Sequence, residues 1–344
     1  MNVAIIEQNL IDPSRDAGSR AVFDLQASLT RLSFVSKIFY VDEEIQAQII
    51  AFRPDTIIVS RYQALLKIRE IKSIFSVPIL LWAQDLHSRR TSLYESLNKK
   101  TASYSLLEAI MERAAISLSD IAVFPTAKDV QNASRKYQLN NILHHPYFYF
   151  DTPQQETDLV REPNLVFIGS SNHLPNFDGL KWFLEYCWPK IYSENNKTKL
   201  WVIGDWDKQK FANQDGVLFT KNIDEDTVSR IMQKSMIGIS PLRFGAGLKR
   251  KTLQYLHSGL SVVTTDFGVE GLPLTEDGLY WRRANTPEQF VESILNILAN
   301  PAEAFKMAKA GQKFLMSNYS KEIFDERLLQ ILTKVDLAVP KTAQ

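Results

Sequence analysis

The segment from Pro241 to Gly259, PLRFGAGLKRKTLQYLHSG, contains the residues with the clearest chemistry. It follows an apolar stretch typical of a strand and leads into a predicted helix. Its turn consists of small residues, whose backbone N–H groups are expected to point outward at the helix start: Gly245, Ala246 and Gly247. Four cations surround this turn: Arg243, Lys249, Arg250 and Lys251. Because cations at a helix N-terminus oppose the helix dipole, the cluster predicts a bound anion, and a diphosphate fits. The alternative is a solvated basic helix start beside a glycine turn.

A second glycine loop follows the next predicted strand. The segment Ser261–Leu272, SVVTTDFGVEGL, ends in a loop that contains Gly268, Val269 and Glu270. Glu270 is of the right type to accept hydrogen bonds from sugar or ribose hydroxyls. A glutamate on a glycine loop is otherwise a solvated turn residue, and the sequence leaves both interpretations open.

In the first half, polar residues also follow predicted strands. The stretch DPSRDAGSR comes after the first strand, and Gly18 opens the next helix; a simple capping turn made by Asp16 or Ser19 is the alternative. After the hydrophobic stretch PILLW, Asp85 and His87 lie two residues apart. A carboxylate beside an imidazole at a strand end is suited to binding an acceptor hydroxyl and handling its proton, and a purely structural histidine is the alternative.

These segments are positioned by two successive series of alternating strands and helices. Such alternation predicts an α/β protein with two doubly wound parallel sheets. The proline-containing, acidic segment 151–163 interrupts the alternation and is predicted to be a linker. We therefore expect one domain over 1–150, a second over 164–318 and a helical tail over 319–344.

Composition narrows the class of protein. The chain has 344 residues, of which 45% are hydrophobic and 23% charged, with a net charge of +1. This balance excludes a mostly disordered chain and gives no electrostatic support for nucleic-acid binding. The single cysteine, Cys187, indicates a reducing compartment, and no stretch has the length of a signal peptide or membrane span, so we expect a cytoplasmic protein. No spacing of side chains resembles a metal site.

Several of these segments, taken together, resemble a known family. FIGSSNHLPNFDGLKWF, LWVIGD and GAGLKRKTLQYLHSGLSVVTTDFGVEGL in the second half, with DAGSR and DLHSRR in the first, resemble GT-B glycosyltransferases of the retaining family 4 type, in a bacterial glycan-biosynthesis branch. The resemblance implies two Rossmann-like domains facing a central cleft, with a C-terminal helix packing back on the first domain. It also implies an acceptor in the first domain and a nucleotide-sugar in the second, with no metal and no further cofactor.

The resemblance assigns roles to residues of this chain. It implies that two catalytic candidates, Arg243 and Lys249, form the pair that neutralises the phosphates. The other two catalytic candidates, Asp85 and His87, would then position the acceptor or the sugar. It implies a donor-binding set: Gly18, Gly169, Ser170, Asn222, Ile223, Gly245, Ala246, Gly247, Gln254, Gly268, Val269 and Glu270. Two features of the family are absent, because Ala246 and Gln254 replace the carboxylates of an E-x7-E signature, and Ser170 and Asn176 replace an Arg and a Lys.

The expected function is transfer of a hexose-type sugar from a UDP-, GDP- or dTDP-sugar to a hydroxyl acceptor. By analogy the acceptor is a lipid-linked or protein-linked glycan of bacterial surface polysaccharide or glycoconjugate assembly. A non-catalytic subunit that stabilises an active partner is the main alternative, and a sugar-nucleotide epimerase is a third. The basic and aromatic stretch from Arg89 to Lys100 suggests peripheral contact with a membrane, with a solvated loop as the alternative.

Overall fold

The computed structural model describes residues 1–13, 16–153, 161–211, 213–221, 223–273 and 277–338. The chain divides into two compact units. The first consists of Met1–Tyr149, Ala246–Leu248 and Lys321–Gln344, and the second of Phe150–Gly245 and Lys249–Ser320. The structure thus assigns two residues of the glycine turn, Ala246 and Gly247, together with Leu248 to the first unit, although the sequence places them within the predicted second domain.

The first unit is built on six parallel strands in the order β2-β1-β3-β4-β5-β6. The strands are β1 (Asn2–Glu7), β2 (Val35–Tyr40), β3 (Thr56–Ser60), β4 (Ile79–Trp82), β5 (Ile121–Phe124) and β6 (Ile142–His144). β3, β4 and β5 are buried along their whole length, because helices cover both faces of a parallel sheet. This explains why they appear in the sequence as continuous apolar runs rather than as alternating patterns.

Eight helices of the described residues belong to this unit. They are α1 (Ala17–Arg31), α2 (Ile45–Phe52), α3 (Tyr62–Lys67), α4 (Ile71–Ile74), α5 (His87–Leu97), α6 (Ser103–Leu118), α7 (Ala127–Tyr137) and, at the end of the chain, α14 (Lys321–Ala338). α14 packs against α1, where Asp325 accepts hydrogen bonds from Arg31. Phe324 is buried edge-on against His145, with ring centroids 4.4 Å apart. The prediction that the C-terminal helix packs on the first domain is confirmed.

The second unit has its own six-stranded parallel sheet, in the order β12-β11-β10-β7-β8-β9. Its strands are β7 (Glu162–Ile168), β8 (Leu200–Ile203), β9 (Val217–Thr220), β10 (Ser235–Ser240), β11 (Ser261–Thr264) and β12 (Arg282–Arg283). Its helices are α8 (Leu174–Tyr186), α9 (Trp188–Glu194), α10 (Glu225–Lys234), α11 (Arg250–His257), α12 (Pro287–Ala299) and α13 (Pro301–Tyr319). Counted from β7, this is the 3-2-1-4-5-6 order of nucleotide-binding sheets.

The predicted α/β class with two doubly wound parallel sheets is confirmed. Phe150, predicted as the last residue of the first domain, belongs to the second unit and pairs there with Ser320. The end of the predicted linker overlaps β7, which begins at Glu162. Residues 154–160 of that segment lie outside the described residues. The central cleft expected from the sequence stays a prediction. Among the described residues, no helix has the length and apolar character needed to cross a membrane.

Candidate functional site

Sheet topology marks one place in the second unit for a ligand. The strand order reverses between β7 and β10, so the loops that follow these two strands leave the sheet side by side. In open parallel sheets ligands bind at such a switch point, outside the carboxyl ends of the strands. Gly169 and Ser170 follow β7, and Gly245 and Lys249 lie between β10 and α11. The structure therefore brings these four predicted donor-site residues to one edge of the sheet.

The loop from Pro241 to Lys249 is shaped by its glycines. Gly247 has a φ of +70°, in the left-handed region that favours glycine. A β-carbon on Gly245 would lie 3.2 Å from Cε of Lys249, so the lysine side chain lies close against the turn. Lys249 is also the N-cap residue of α11, and its side chain makes no capping bond. The helix start thus carries a cation where side-chain acceptors are usual, as the sequence predicts.

Lys251 belongs to this candidate site, although in the sequence it is only one of the four cations around the glycine turn. The side chain is half-buried, with Nζ 2.6 Å from Oδ1 of Asn176 and 4.2 Å from the ring centroid of Phe167. Burial, together with the nearby charge of Lys249, lowers the pKa of Lys251 to about 7. Within the described residues it has no carboxylate partner. An ammonium group held among a neutral amide and an aromatic ring is favourable for an incoming anion.

This pKa makes anion binding at the site dependent on pH. Lys251 is mostly protonated below about pH 7 and mostly neutral above it, so a bound diphosphate loses its attraction as the pH rises. We expect the dissociation constant of a nucleoside-diphosphate sugar to increase up to about tenfold per unit from pH 7 upward. Calorimetric titrations across this range measure it. Lys251→Arg carries a permanent charge and should flatten the profile; an unchanged slope in that variant would remove Lys251 from the site.

Arg243 is paired with a carboxylate of the same unit. Its Nε donates to Oδ2 of Asp178 on α8 at 2.8 Å, and its Nη2 donates to Oδ1 of the same carboxylate. This pairing raises the pKa of Arg243 and neutralises much of its charge. The sequence interpretation paired Arg243 with Lys249 as the cations that meet a phosphate. In the structure Arg243 links the loop to α8, and its phosphate-binding role stays a prediction.

The second glycine loop is anchored from two sides. Thr252 on α11 donates to the carbonyl of Gly268 at 2.8 Å, and a β-carbon on Gly268 would lie 2.8 Å from the carbonyl oxygen of Ser240. Glu270 is only 7% exposed, so the alternative of a solvated turn residue is wrong. Val269 is buried as well, and Gln254 is half-buried on α11.

The resemblance implies that residues 221–223 hold the nucleotide base, and the structure describes this stretch only in part. Ile223 follows β9 and is half-buried, whereas Asn222 lies outside the described residues. Lys221 forms an exposed ion pair with Asp205 at 2.8 Å. The base-binding role of this stretch stays a prediction.

In the first unit the strand order reverses between β1 and β3. Glu7 ends β1 with its side chain buried, and Arg61 follows β3 with a φ of +71°, which is rare for arginine. Asp16 caps α1 by accepting from the backbone N–H of Ser19, as the capping alternative expects. Gly18 lies in α1 directly against Arg61, so a side chain there would displace the guanidinium. Neither Glu7 nor Arg61 stands out by spacing, because only the fold places them at the switch point.

Asp85 and His87 are brought together as predicted. Nε2 of His87 lies 3.0 Å from Oδ1 of Asp85, and Nδ1 lies 3.3 Å from the amide nitrogen of Gln63. Asp85 and Gln63 therefore contact the imidazole at its two ring nitrogens. Asp85 also pairs with Arg90. This arrangement orients both groups, which suits positioning of a hydroxyl better than removal of its proton.

A small cavity and a glycine of the 246–248 segment lie next to Asp85 and His87 within the first unit. A cavity of about 10 Å³, large enough for about one water molecule, is lined by both residues and by Glu112, whose pKa is raised by burial. A β-carbon on Gly247 would lie 2.8 Å from Cβ of Asp85, so glycine is required there on steric grounds also. Among the described residues, no group of three or more His, Cys, Asp or Glu side chains is placed to hold a metal ion.

Comparison with known proteins identifies a family that matches part of the chain and solved structures with a similar fold. Residues 162–300 match the family described as "Glycosyl transferases group 1". A relative described as "Uncharacterized 44.6 kDa protein in cps region" of Klebsiella pneumoniae is 30% identical over 172 residues, which cover 47% of this chain and 44% of that protein. The chain therefore matches less than half the length of this curated relative.

Solved structures are similar over almost the whole chain. Sucrose-phosphate synthase from Thermosynechococcus elongatus has a TM-score of 0.79 at 13% identity and covers 98% of this chain and 99% of its own. Anabaena HepE in complex with UDP has a TM-score of 0.73 at 12% identity, covering 97% and 100%. A further structure of HepE holds UDP-glucose, with a TM-score of 0.72 at 11% identity, covering 97% and 100%.

These findings confirm two predictions. The chain has the GT-B fold, and its residues 162–300 match the glycosyltransferase group 1 family. The prediction of a glycosyltransferase enzyme is confirmed at the level of this family. The matched range begins with β7 and contains both glycine loops and α11, the elements that form the switch point of the second unit.

Proposed function

We propose that the protein transfers a sugar from a nucleoside diphosphate to a hydroxyl acceptor, with retention of configuration and without a metal. The observation that carries this proposal is the pair of lysines, Lys249 and Lys251, at the switch point of a sheet with nucleotide-binding strand order. A diphosphate supplies the two negative charges that these side chains and the loop N–H groups are suited to bind.

The proposed chemistry assigns the main energetic role to the leaving group. The bond between the anomeric carbon and the phosphate oxygen breaks, and its electron pair leaves with the diphosphate. Lys249 and Lys251 stabilise the charge that develops there. The acceptor oxygen bonds to the anomeric carbon on the same face, and its proton passes to the departing phosphate. Asp85 and His87 position the acceptor hydroxyl.

The donor and acceptor are proposed by class. HepE, which shares the fold, is solved with UDP and with UDP-glucose, so a UDP-sugar is the first donor to test, before GDP- and dTDP-sugars. For the acceptor we propose a lipid-linked or protein-linked glycan of bacterial surface polysaccharide assembly, on the cytoplasmic side. The description of the Klebsiella pneumoniae relative as a protein in a cps region supports this assignment.

A non-catalytic subunit is the second candidate function, because Ala246 and Gln254 replace the carboxylates of the E-x7-E signature. Such a subunit stabilises its partner and turns over no donor.

Thermal unfolding with a panel of nucleotide-sugars tests the proposal. At a ligand concentration of 100 times the dissociation constant, binding adds about 2.7 kcal/mol, which corresponds to a shift of roughly 5 °C or more for a domain of this size. We expect sugars of one base to raise the unfolding temperature and those of the others to leave it unchanged. No shift with any donor would favour the subunit. Conversion of the donor without an acceptor would instead indicate an epimerase.

A further inference from the structure

The helical hairpin formed by α5 and α6 has an apolar surface outside the core of the first unit. Helix α6 buries one face through Ser105, Glu112, Ala115 and Ile116. Its opposite face carries large apolar side chains that remain exposed, with exposed fractions between 54% and 68%: Leu106, Leu107 and Ile110. Residues three and four positions apart share a helix face, so these three form one continuous patch. Nearby, Tyr104 is 73% exposed and Leu97 is 40% exposed.

Contiguous apolar side chains on one exposed helix face are typical of an interaction surface. The exposed charges beside the patch are positive, whereas the acidic Glu108 on α6 is half-buried. Lys99 and Lys100 lie in the α5–α6 connection, Arg113 lies on α6 beyond Ile110, and all three are exposed. The stretch 96–107 contains no acidic residue. Arg89 on α5 and two cations of α7, Arg135 and Lys136, also line a groove of about 420 Å³.

The hairpin is held in shape from within. Glu95 on α5 is buried and accepts hydrogen bonds from the backbone N–H groups of Tyr104 and Ser105 and from the Ser105 hydroxyl. It thereby caps the first turn of α6 and complements the positive end of its dipole. The patch is thus presented by a preformed surface, and its binding requires no folding step.

We propose that this patch, defined by Leu97, Tyr104, Leu106, Leu107 and Ile110, docks peripherally on an anionic lipid surface. Leucine and isoleucine side chains enter the boundary of the acyl chains, tyrosine suits the headgroup level, and the flanking cations attract anionic headgroups. A protein partner fits less well, since these few side chains expose roughly a few hundred Å², against about 800 Å² per partner in a standard protein interface. This inference is independent of the proposed sugar transfer.

Sedimentation of the purified chain with lipid vesicles tests the proposal. We expect binding to vesicles of phosphatidylcholine with phosphatidylglycerol, much weaker binding to phosphatidylcholine alone, and a decrease with added salt. Leu106→Glu with Ile110→Glu should lower the bound fraction about tenfold or more, and so should Lys99→Glu with Lys100→Glu. Phe305→Glu is the matched control, because Phe305 is 60% exposed on α13 of the second unit, and it should bind like the original chain.

Light scattering tests whether the patch forms a dimer instead, and nucleotide titration tests whether the variants keep the donor site. Equal binding to both kinds of vesicle, or full binding by the Leu106 and Ile110 variant, would overturn the proposal. A dimer of the original chain that the same variant abolishes would instead assign the patch to protein association. Retained nucleotide binding in the variants would show that the fold and the donor site are intact, so failure of this proposal is distinguishable from failure of the proposed function.

Discussion

Replacing Lys249 with alanine is expected to lower kcat/KM for the sugar donor about 100-fold or more while leaving the fold intact. Removal of one such electrostatic stabiliser from a transition state costs on the order of 3 kcal/mol. Lys249 lies against the glycine turn at the start of α11, and its charge contributes to lowering the pKa of Lys251. The measurement is the rate of nucleoside-diphosphate release with the donor identified by thermal unfolding.

Two further variants make this result interpretable. Lys249→Arg keeps the charge but changes the geometry of the donor groups, so we expect an intermediate loss. Lys313→Ala removes an exposed lysine from α13 of the same unit and should leave the rate unchanged. Full activity in Lys249→Ala would contradict the assignment of this side chain to the diphosphate.

Gly238→Ala is expected to weaken both the fold of the second unit and its ligand site. A β-carbon on Gly238, in the middle of β10, would lie 2.6 Å from Cδ2 of Tyr255, whose ring is fully buried. Relief of this clash requires the ring, and α11 with it, to move away from the sheet. Overpacking of this kind costs about 1–3 kcal/mol. Because α11 carries Lys251, we also expect donor affinity to fall roughly tenfold or more, the equivalent of about 1.4 kcal/mol.

Tyr255→Phe distinguishes the contribution of the ring from that of the hydroxyl, because it removes only the hydroxyl. The backbone N–H of Ile168, at the end of β7, donates to the Tyr255 oxygen at 2.7 Å, so the phenylalanine leaves a donor unpaired and costs about 1–3 kcal/mol. The ring stays, and α11 keeps its place. Chemical unfolding and nucleotide titration of both variants measure the two effects. If Gly238→Ala matched the original chain in both measurements, close packing of α11 on β10 would not position the site.

The alternation of strands and helices made the architecture predictable. Continuous apolar runs such as Ile79–Trp82 indicate strands buried on both faces, and glycine in the strand Ser235–Ser240 signals a close approach. The glycine turn after β10 also lies where its pattern predicts. These features depend on local sequence, so they are visible without the fold.

Other features depend on contacts between distant parts of the chain. Arg243 is neutralised by Asp178, 65 residues away, and Lys251 is enclosed by Asn176 and Phe167. No spacing in the sequence indicates these partners. Strand order likewise decides that Glu7 and Arg61 meet at the switch point of the first unit.

In helix α6 the apolar pattern is visible in the sequence, but it does not identify the buried face. Leu106, Leu107 and Ile110 have the spacing of a buried helix face, yet the buried face of α6 is formed by Ser105, Glu112, Ala115 and Ile116. Hydrophobic spacing identifies the helix, but it does not decide which of two apolar faces meets the core.

Isothermal titration with UDP, GDP and dTDP tests the central claim most directly, because it measures diphosphate binding without an acceptor. We predict one site per chain for one of the three nucleotides, with affinity about 100-fold weaker in Lys249→Ala and decreasing above pH 7 as Lys251 loses its proton. No binding of any of the three, or equal binding by the original chain and Lys249→Ala, would contradict the account.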